Sequence, residues 1–158
     1  MDLNNAAETN STAQQGTSVA EPQGAGMLKI LITEDDFASR KAIQMYLAPH
    51  GVCDVAVNGF ETVEAYKSSL LEGEPYDLIC LDILMPEMDG HEALKAIRQI
   101  EREQEVDPSN LVKIIMTTSK DSATDIAEAF GTGCDAYVIK PINKEKLYEE
   151  MRKMVLIK

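Results

Sequence analysis

Residues 76–90 read YDLICLDILMPEMDG. Leu78 to Leu81 form a continuous apolar run, Asp82 follows, and Pro86 and Gly90 punctuate what comes after. An apolar run of this length, bounded by turn residues, reads as a strand buried on both faces, which is the signature of a parallel sheet. The run ends on a carboxylate, and an ionised carboxylate is costly to desolvate without compensation. Asp82 is therefore either paired for structure or placed at a strand mouth where chemistry occurs.

The flanking sequence repeats the strand pattern in alternation with helices. LKILIT (28–33) and VCDVAV (52–57) read as strands, as do LVKIIMTT (111–118) and DAYVIK (135–140). Four helical stretches lie between the strands and a fifth follows the last. Residues 37–51 carry a stripe of Ala42, Ile43, Tyr46 and Leu47, and residues 60–73 align Val63, Tyr66 and Leu70. Residues 89–106 form a helix with a charged end, and residues 122–133 a short one with a glycine-rich exit. In residues 144–158, Leu147, Met151, Met154 and Val155 are expected to face inward. Strict alternation with near-continuously apolar strands predicts an α/β fold, a doubly wound five-stranded parallel sheet flanked by five helices.

Composition narrows the function. The chain has 158 residues, enough for one ordinary domain, and a net charge of −12, which argues against a nucleic-acid binder. No apolar run is long enough to span a bilayer. Residues 1–26 are rich in Asn, Ala, Thr, Ser, Gln and Gly, with no Lys or Arg. Such a segment buries too little surface to order itself and reads as a disordered tail ahead of a domain at 27–158. That tail is either native or an extension upstream of a start at Met27. With no secretory leader and no C-x-x-C spacing among Cys53, Cys80 and Cys134, a cytoplasmic location is expected.

In doubly wound sheets, ligands bind beyond the carboxyl ends of the strands. Those ends carry Glu34, Asp35 and Asp36, then Asp82, then Thr117 and Thr118, then Lys140 and Pro141. Crowded carboxylates need a compensating charge, and an all-oxygen acidic cluster suits Mg²⁺. Asp35 and Asp82 are the candidate direct ligands, with Glu34 acting partly through water. Lys140 offers a second positive charge and Thr118 a hydroxyl. A carboxylate beside Mg²⁺, facing Lys and Thr, is equipped to attack phosphorus and become an aspartyl phosphate. Asp36 also suits a helix cap, Tyr137 suits half-buried packing, and His50 and His91 read as surface residues.

Together, ILITEDDFASR, LICLDILMPEMDG, IIMTTSK and YVIKPI resemble the receiver domain of two-component response regulators, over residues 28–156. The resemblance implies a flavodoxin-like sheet of order 2-1-3-4-5. It implies Asp82 as phosphoacceptor, with Mg²⁺ held by Glu34, Asp35, Asp82 and the backbone carbonyl of Leu84. Thr118 falls at the switch hydroxyl, Tyr137 at the switch aromatic, and Lys140 at the lysine of the pattern, with a cis peptide to Pro141. Within the acidic triplet, spacing to Arg40 favours Glu34 and Asp35; distance back from Lys140 favours Thr118 over Thr117. Leu84 and Lys120 fall where the family tunes the lifetime of the phosphoryl group.

The resemblance further implies a signalling protein of bacterial type, not an enzyme. The phosphoryl donor would be a sensor histidine kinase or a histidine phosphotransfer protein. Output would pass through the surface of the fourth helix, fifth strand and fifth helix to a downstream protein. The chain is expected to stand alone, as a monomer or a phosphorylation-dependent dimer, with no nucleic acid or membrane partner. Two alternatives use the same features: a haloacid-dehalogenase-like phosphohydrolase with Asp82 as nucleophile, and a non-catalytic interaction module. The first wants a second Asp two residues on, where Leu84 stands. A nucleotide or flavin site is disfavoured because TEDDFASR is acidic where phosphate would sit.

Overall fold

The computed structural model describes residues 27–119 and 122–158. The expected tail at 1–26 and Lys120 lie outside the described residues. The strands are β1 (Leu28–Thr33), β2 (Gly51–Ala56), β3 (Leu78–Asp82), β4 (Lys113–Thr118) and β5 (Ala136–Ile139). The helices are α1 (Phe37–Leu47), α2 (Gly59–Leu71), α3 (Gly90–Glu103), α4 (Ala123–Thr132) and α5 (Lys144–Lys153). All neighbouring strands pair in parallel, in the order β2-β1-β3-β4-β5. The α/β, doubly wound, five-helix architecture expected from the alternation is the one observed.

Side chains alternate between the two faces of each strand, so the sheet has two cores. Ile30, Ile32, Leu78, Cys80, Ile115 and Val138 pack with Ile43 and Leu47 of α1 and Leu147 and Met151 of α5. Leu31, Ile79, Leu81, Ile114 and Met116 pack with Tyr66 of α2, Ala93, Leu94 and Ile97 of α3, and Ala129 of α4. β3 is central and buried along its whole length, which is why its sequence shows no polar alternation. Cys80 is buried as a small hydrophobe, and burial pushes its thiol up to about 12.

Local signals start each helix. Asp36, Asn58, Asp89, Ser122 and Asn143 each accept from a backbone N–H three residues on, and each such cap contributes about 1 kcal/mol. Asp89 and Glu92 form a reciprocal capping box. Gly90 lets α3 start against the end of β3. A Cβ there would stand 2.4 Å from the Asp82 carbonyl oxygen.

The charged end of α3 differs from a solvated face. Arg98 and Glu101 are buried, and the Arg98 Nη1 donates to Glu101 Oε1 at 2.6 Å. Glu101 also accepts from the Tyr66 hydroxyl and the Val112 N–H, both at 2.9 Å. Arg98 donates onward to the Gly133 carbonyl and Asp135. This network binds α2, α3, the α4 exit and the start of β5 together.

α3 ends at Glu103, short of 106, because the chain turns there with Glu105 at φ 53°. α5 ends at Lys153, and Val155 is not inward: it is 85% exposed at φ 62°. The Leu156 N–H donates back to the Met151 carbonyl at 2.9 Å, a reversal that turns Leu156 and Ile157 toward the core in its place.

Candidate functional site

The register of the sheet assembles the cleft. Thr33 pairs with Leu81, and Asp82 pairs with Thr117, so the ends of β1, β3 and β4 lie side by side. Glu34 follows β1 directly and is fully buried; Asp82 is 3% exposed. Lys140 follows β5, and its N–H donates to the Thr118 carbonyl at 2.7 Å. Its ammonium lies 2.8 Å from Glu34 Oε1 and 3.4 Å from Asp82 Oδ1. The Lys140–Pro141 peptide is cis. Asp35 is exposed at the rim, and one oxygen each from Glu34, Asp35 and Asp82 lie within 4.8 Å of one another.

Three carboxylates face one ammonium, so the cleft carries a negative excess. Burial, then the negative charge of Glu34, push Asp82 up to about 7, against the pull of Lys140. Burial works to lower the Lys140 pKa, but Glu34 and Asp82 outweigh it and hold the ammonium above its usual value. Glu34 Oε1 is buried and meets the Lys140 ammonium at 2.8 Å, which leaves a second lone pair on that oxygen without a protein donor. A buried acceptor with spare capacity, inside a cluster of oxygen donors lacking His or Cys, fits a small hard cation such as Mg²⁺.

The other expected site residues are placed as follows. Asp36 turns away from the cleft: its carboxylate accepts from the Ser39 N–H at 2.8 Å and is held below its usual pKa by that bond. Arg40 Nη1 donates to the Glu34 carbonyl at 2.9 Å and fixes the loop carrying the acidic pair. Thr117 and Thr118 are both buried at the end of β4. Leu84 is two residues past Asp82 and about half exposed. Tyr137 lies within β5, partly buried against the core that contains Met116 and Ala129. The expectation for His91 is corrected. Its side chain is only 12% exposed, held between Asp125 and Glu128 of α4. Gly90, beside it, brings the first turn of α3 hard against the sheet.

Residues 30–152 match the model of the response regulator receiver domain. The chain is 34% identical to the chemotaxis protein CheY of Bacillus subtilis over 127 residues, covering 79% of this chain and 95% of that one. A chain in the co-crystal structure of the Saccharomyces cerevisiae phosphotransfer protein Ypd1 with the receiver domain of Ssk1 superimposes with a TM-score of 0.71. It is 28% identical, with 81% of this chain and 88% of that chain covered. The receiver domain of the Arabidopsis thaliana histidine kinase CKI1, complexed with Mg²⁺ and BeF₃⁻, gives a TM-score of 0.69 at 28% identity over 81% and 89% of the two chains. The chain spans 56% of a probable transcriptional regulator of Porphyra purpurea and under a tenth of two Dictyostelium discoideum hybrid histidine kinases. Among the described residues no helix is long and apolar enough to cross a membrane. The chain belongs to the response regulator receiver domain family of two-component signalling.

Proposed function

We propose that the chain accepts a phosphoryl group on Asp82 from a phosphohistidine of a sensor histidine kinase or histidine phosphotransfer protein. The observation that carries this reading is the Asp82 carboxylate, buried at the mouth of β3 between Glu34 and Lys140. An Asp82 oxygen attacks phosphorus. The new P–O bond forms as the P–N bond to the donor imidazole breaks, and the imidazole leaves with the bonding pair. Lys140, already within reach of Asp82, pairs with a phosphoryl oxygen as charge accumulates there. Glu34, Asp35, Asp82 and the Leu84 carbonyl are the proposed holders of Mg²⁺, which when bound neutralises the phosphoryl oxygens and keeps Asp82 ionised.

Thr118 and Tyr137 are the proposed switch pair. The Thr118 hydroxyl bonds a phosphoryl oxygen, and Tyr137 repacks with the loop after β4, remodelling the α4–β5–α5 face. Support for a binding role of that face comes from an open groove of about 490 Å³ lined by Ile126, Phe130, Tyr137, Ile139, Lys146 and Glu150. Phe130 and Ile139 are exposed there at 48% and 38%. The test is labelling by a radioactive small phosphodonor with Mg²⁺. The parent takes up one phosphoryl group that alkali and neutral hydroxylamine release, as they release an acyl phosphate, and Asp82→Asn takes up none; full labelling of Asp82→Asn would refute the assignment.

A further inference from the structure

Away from the Asp82 cleft, one imidazole and two carboxylates meet where α3 faces α4. His91 is the second residue of α3, and Asp125 and Glu128 stand one turn apart on α4. The His91 Nε2 is 3.8 Å from Asp125 Oδ1 and 3.8 Å from Glu128 Oε1. The three donor atoms lie within 4.8 Å of one another. Both ring nitrogens of His91 are buried, and neither has a hydrogen-bond partner.

These separations are too long for hydrogen bonds. They are close to those of ligands sharing an ion. A tetrahedral cation at about 2.0–2.2 Å from each donor holds its ligands about 3.3–3.6 Å apart. The two separations from His91 need to contract by only a few tenths of an ångström, and Glu128, 55% exposed, is free to supply the movement that closes the third. The donor set also differs in kind from the all-oxygen cleft. One imidazole with two carboxylates suits a borderline ion of the Zn²⁺ class, and an ion of charge +2 would match the two carboxylates. An open groove of about 450 Å³ beside His91 and Glu128 gives an entry path. Of the cations lining it, Arg98 is already paired with Glu101 and Asp135.

We propose that His91, Asp125 and Glu128 form a binding site for a divalent transition-metal ion that clamps the start of α3 to the first turns of α4. The fourth position is left to water. Because Nδ1 has no protein partner to orient the ring, binding is weaker than at a structural zinc site. The site is independent of the phosphorylation chemistry, and occupancy restrains α4, the helix that follows the Thr118 strand.

The experiment uses the full, tag-free, reduced chain in excess Mg²⁺, so that the acidic cleft does not compete. Zn²⁺ is titrated by calorimetry, and Co²⁺ is followed by its visible ligand-field bands. One equivalent should bind, with bands of a four-coordinate N/O site. His91→Gln and Glu128→Gln should each weaken binding at least about tenfold, while Asp35→Asn leaves it unchanged. Glu128 is exposed, so its variant reports even if the His91 variant folds poorly. No binding to the parent at about 0.1 mM Zn²⁺, or undiminished binding to both variants, overturns the proposal. The second result would place the ion at Cys53 or in the Asp82 cleft.

Discussion

Replacing Asp82 with asparagine should make the protein more stable, and the gain should depend on pH in a defined way. In the folded chain Asp82 binds its proton up to about pH 7, whereas its ordinary value is 3.8. Between those values the unfolded chain has lost the proton and the folded chain still holds it. Stability therefore falls as pH rises through this window and levels off above about 7. At about 1.4 kcal/mol per tenfold, Asp82 costs the fold roughly 1–2 kcal/mol at pH 5, where it keeps its proton in the folded chain, and roughly 4 kcal/mol at pH 8, where it is ionised. Asp82 is buried, so solvent screens this little. The amide of the Asp82→Asn variant carries neither cost. Urea unfolding in a chelator should show Asp82→Asn more stable by about 2–4 kcal/mol at pH 8 and by less than half of that at pH 5. Mg²⁺ at about 100 times its dissociation constant adds about 2.7 kcal/mol to the parent and less to the variant, so the gap should close. A gain that does not change with pH, or a loss of stability at pH 8, would refute the electrostatic reading of the cleft.

Glu101→Leu removes the shared acceptor of Arg98, Tyr66 and the Val112 N–H; denaturant titration should show a loss of about 3–5 kcal/mol, and a loss below about 1 kcal/mol would mean the network is replaceable. Val155→Gly relieves a β-branched residue at φ 62° that is almost fully exposed, so thermal unfolding should show a gain of about 1 kcal/mol. For the phosphorylated form, Leu84 cannot orient an attacking water and a lysine at 120 cannot accept its proton; self-dephosphorylation should be slow, and Leu84→Asn with Lys120→Glu should shorten the lifetime several-fold in decay of radiolabel at fixed Mg²⁺. Equal or slower decay in that double variant would remove both side chains from control of water access.

Much of this architecture is legible because the sheet is parallel. β3 is buried on both faces, so its apolar run is unbroken, and the polar residues that interrupt such runs fall at strand ends, where the cleft forms. The helix starts are readable from Asp36, Asn58, Asp89, Ser122 and Asn143. Helix ends are not, because Glu105 and Val155 take left-handed backbone that favours Gly. Arg98 and Glu101 look solvated by residue type. Their positions continue the stripe of Leu94 and Ile97 at helical spacing, and that periodicity outranks charge when partners satisfy the charge. His91 misleads for a related reason: its partners come from α4, 34 and 37 residues further on, and no local pattern encodes that contact.

The cleft and the scaffold pull in opposite directions. Glu34 and Asp82 are crowded in a buried site with one lysine between them, an arrangement that weakens the fold at neutral pH. Nothing in the packing of β1 or β3 requires it, since Thr33 and Leu81 already complete the buried layers beneath. The rest of the molecule offsets the cost through two continuous cores, five capped helices and the Arg98–Glu101–Tyr66 network on the opposite side of the sheet from α1 and α5. A sequence that obeys local rules almost everywhere and breaks them at one strand mouth marks that mouth as the place where function is selected over stability. Any group that brings positive charge to the cleft relieves the repulsion there.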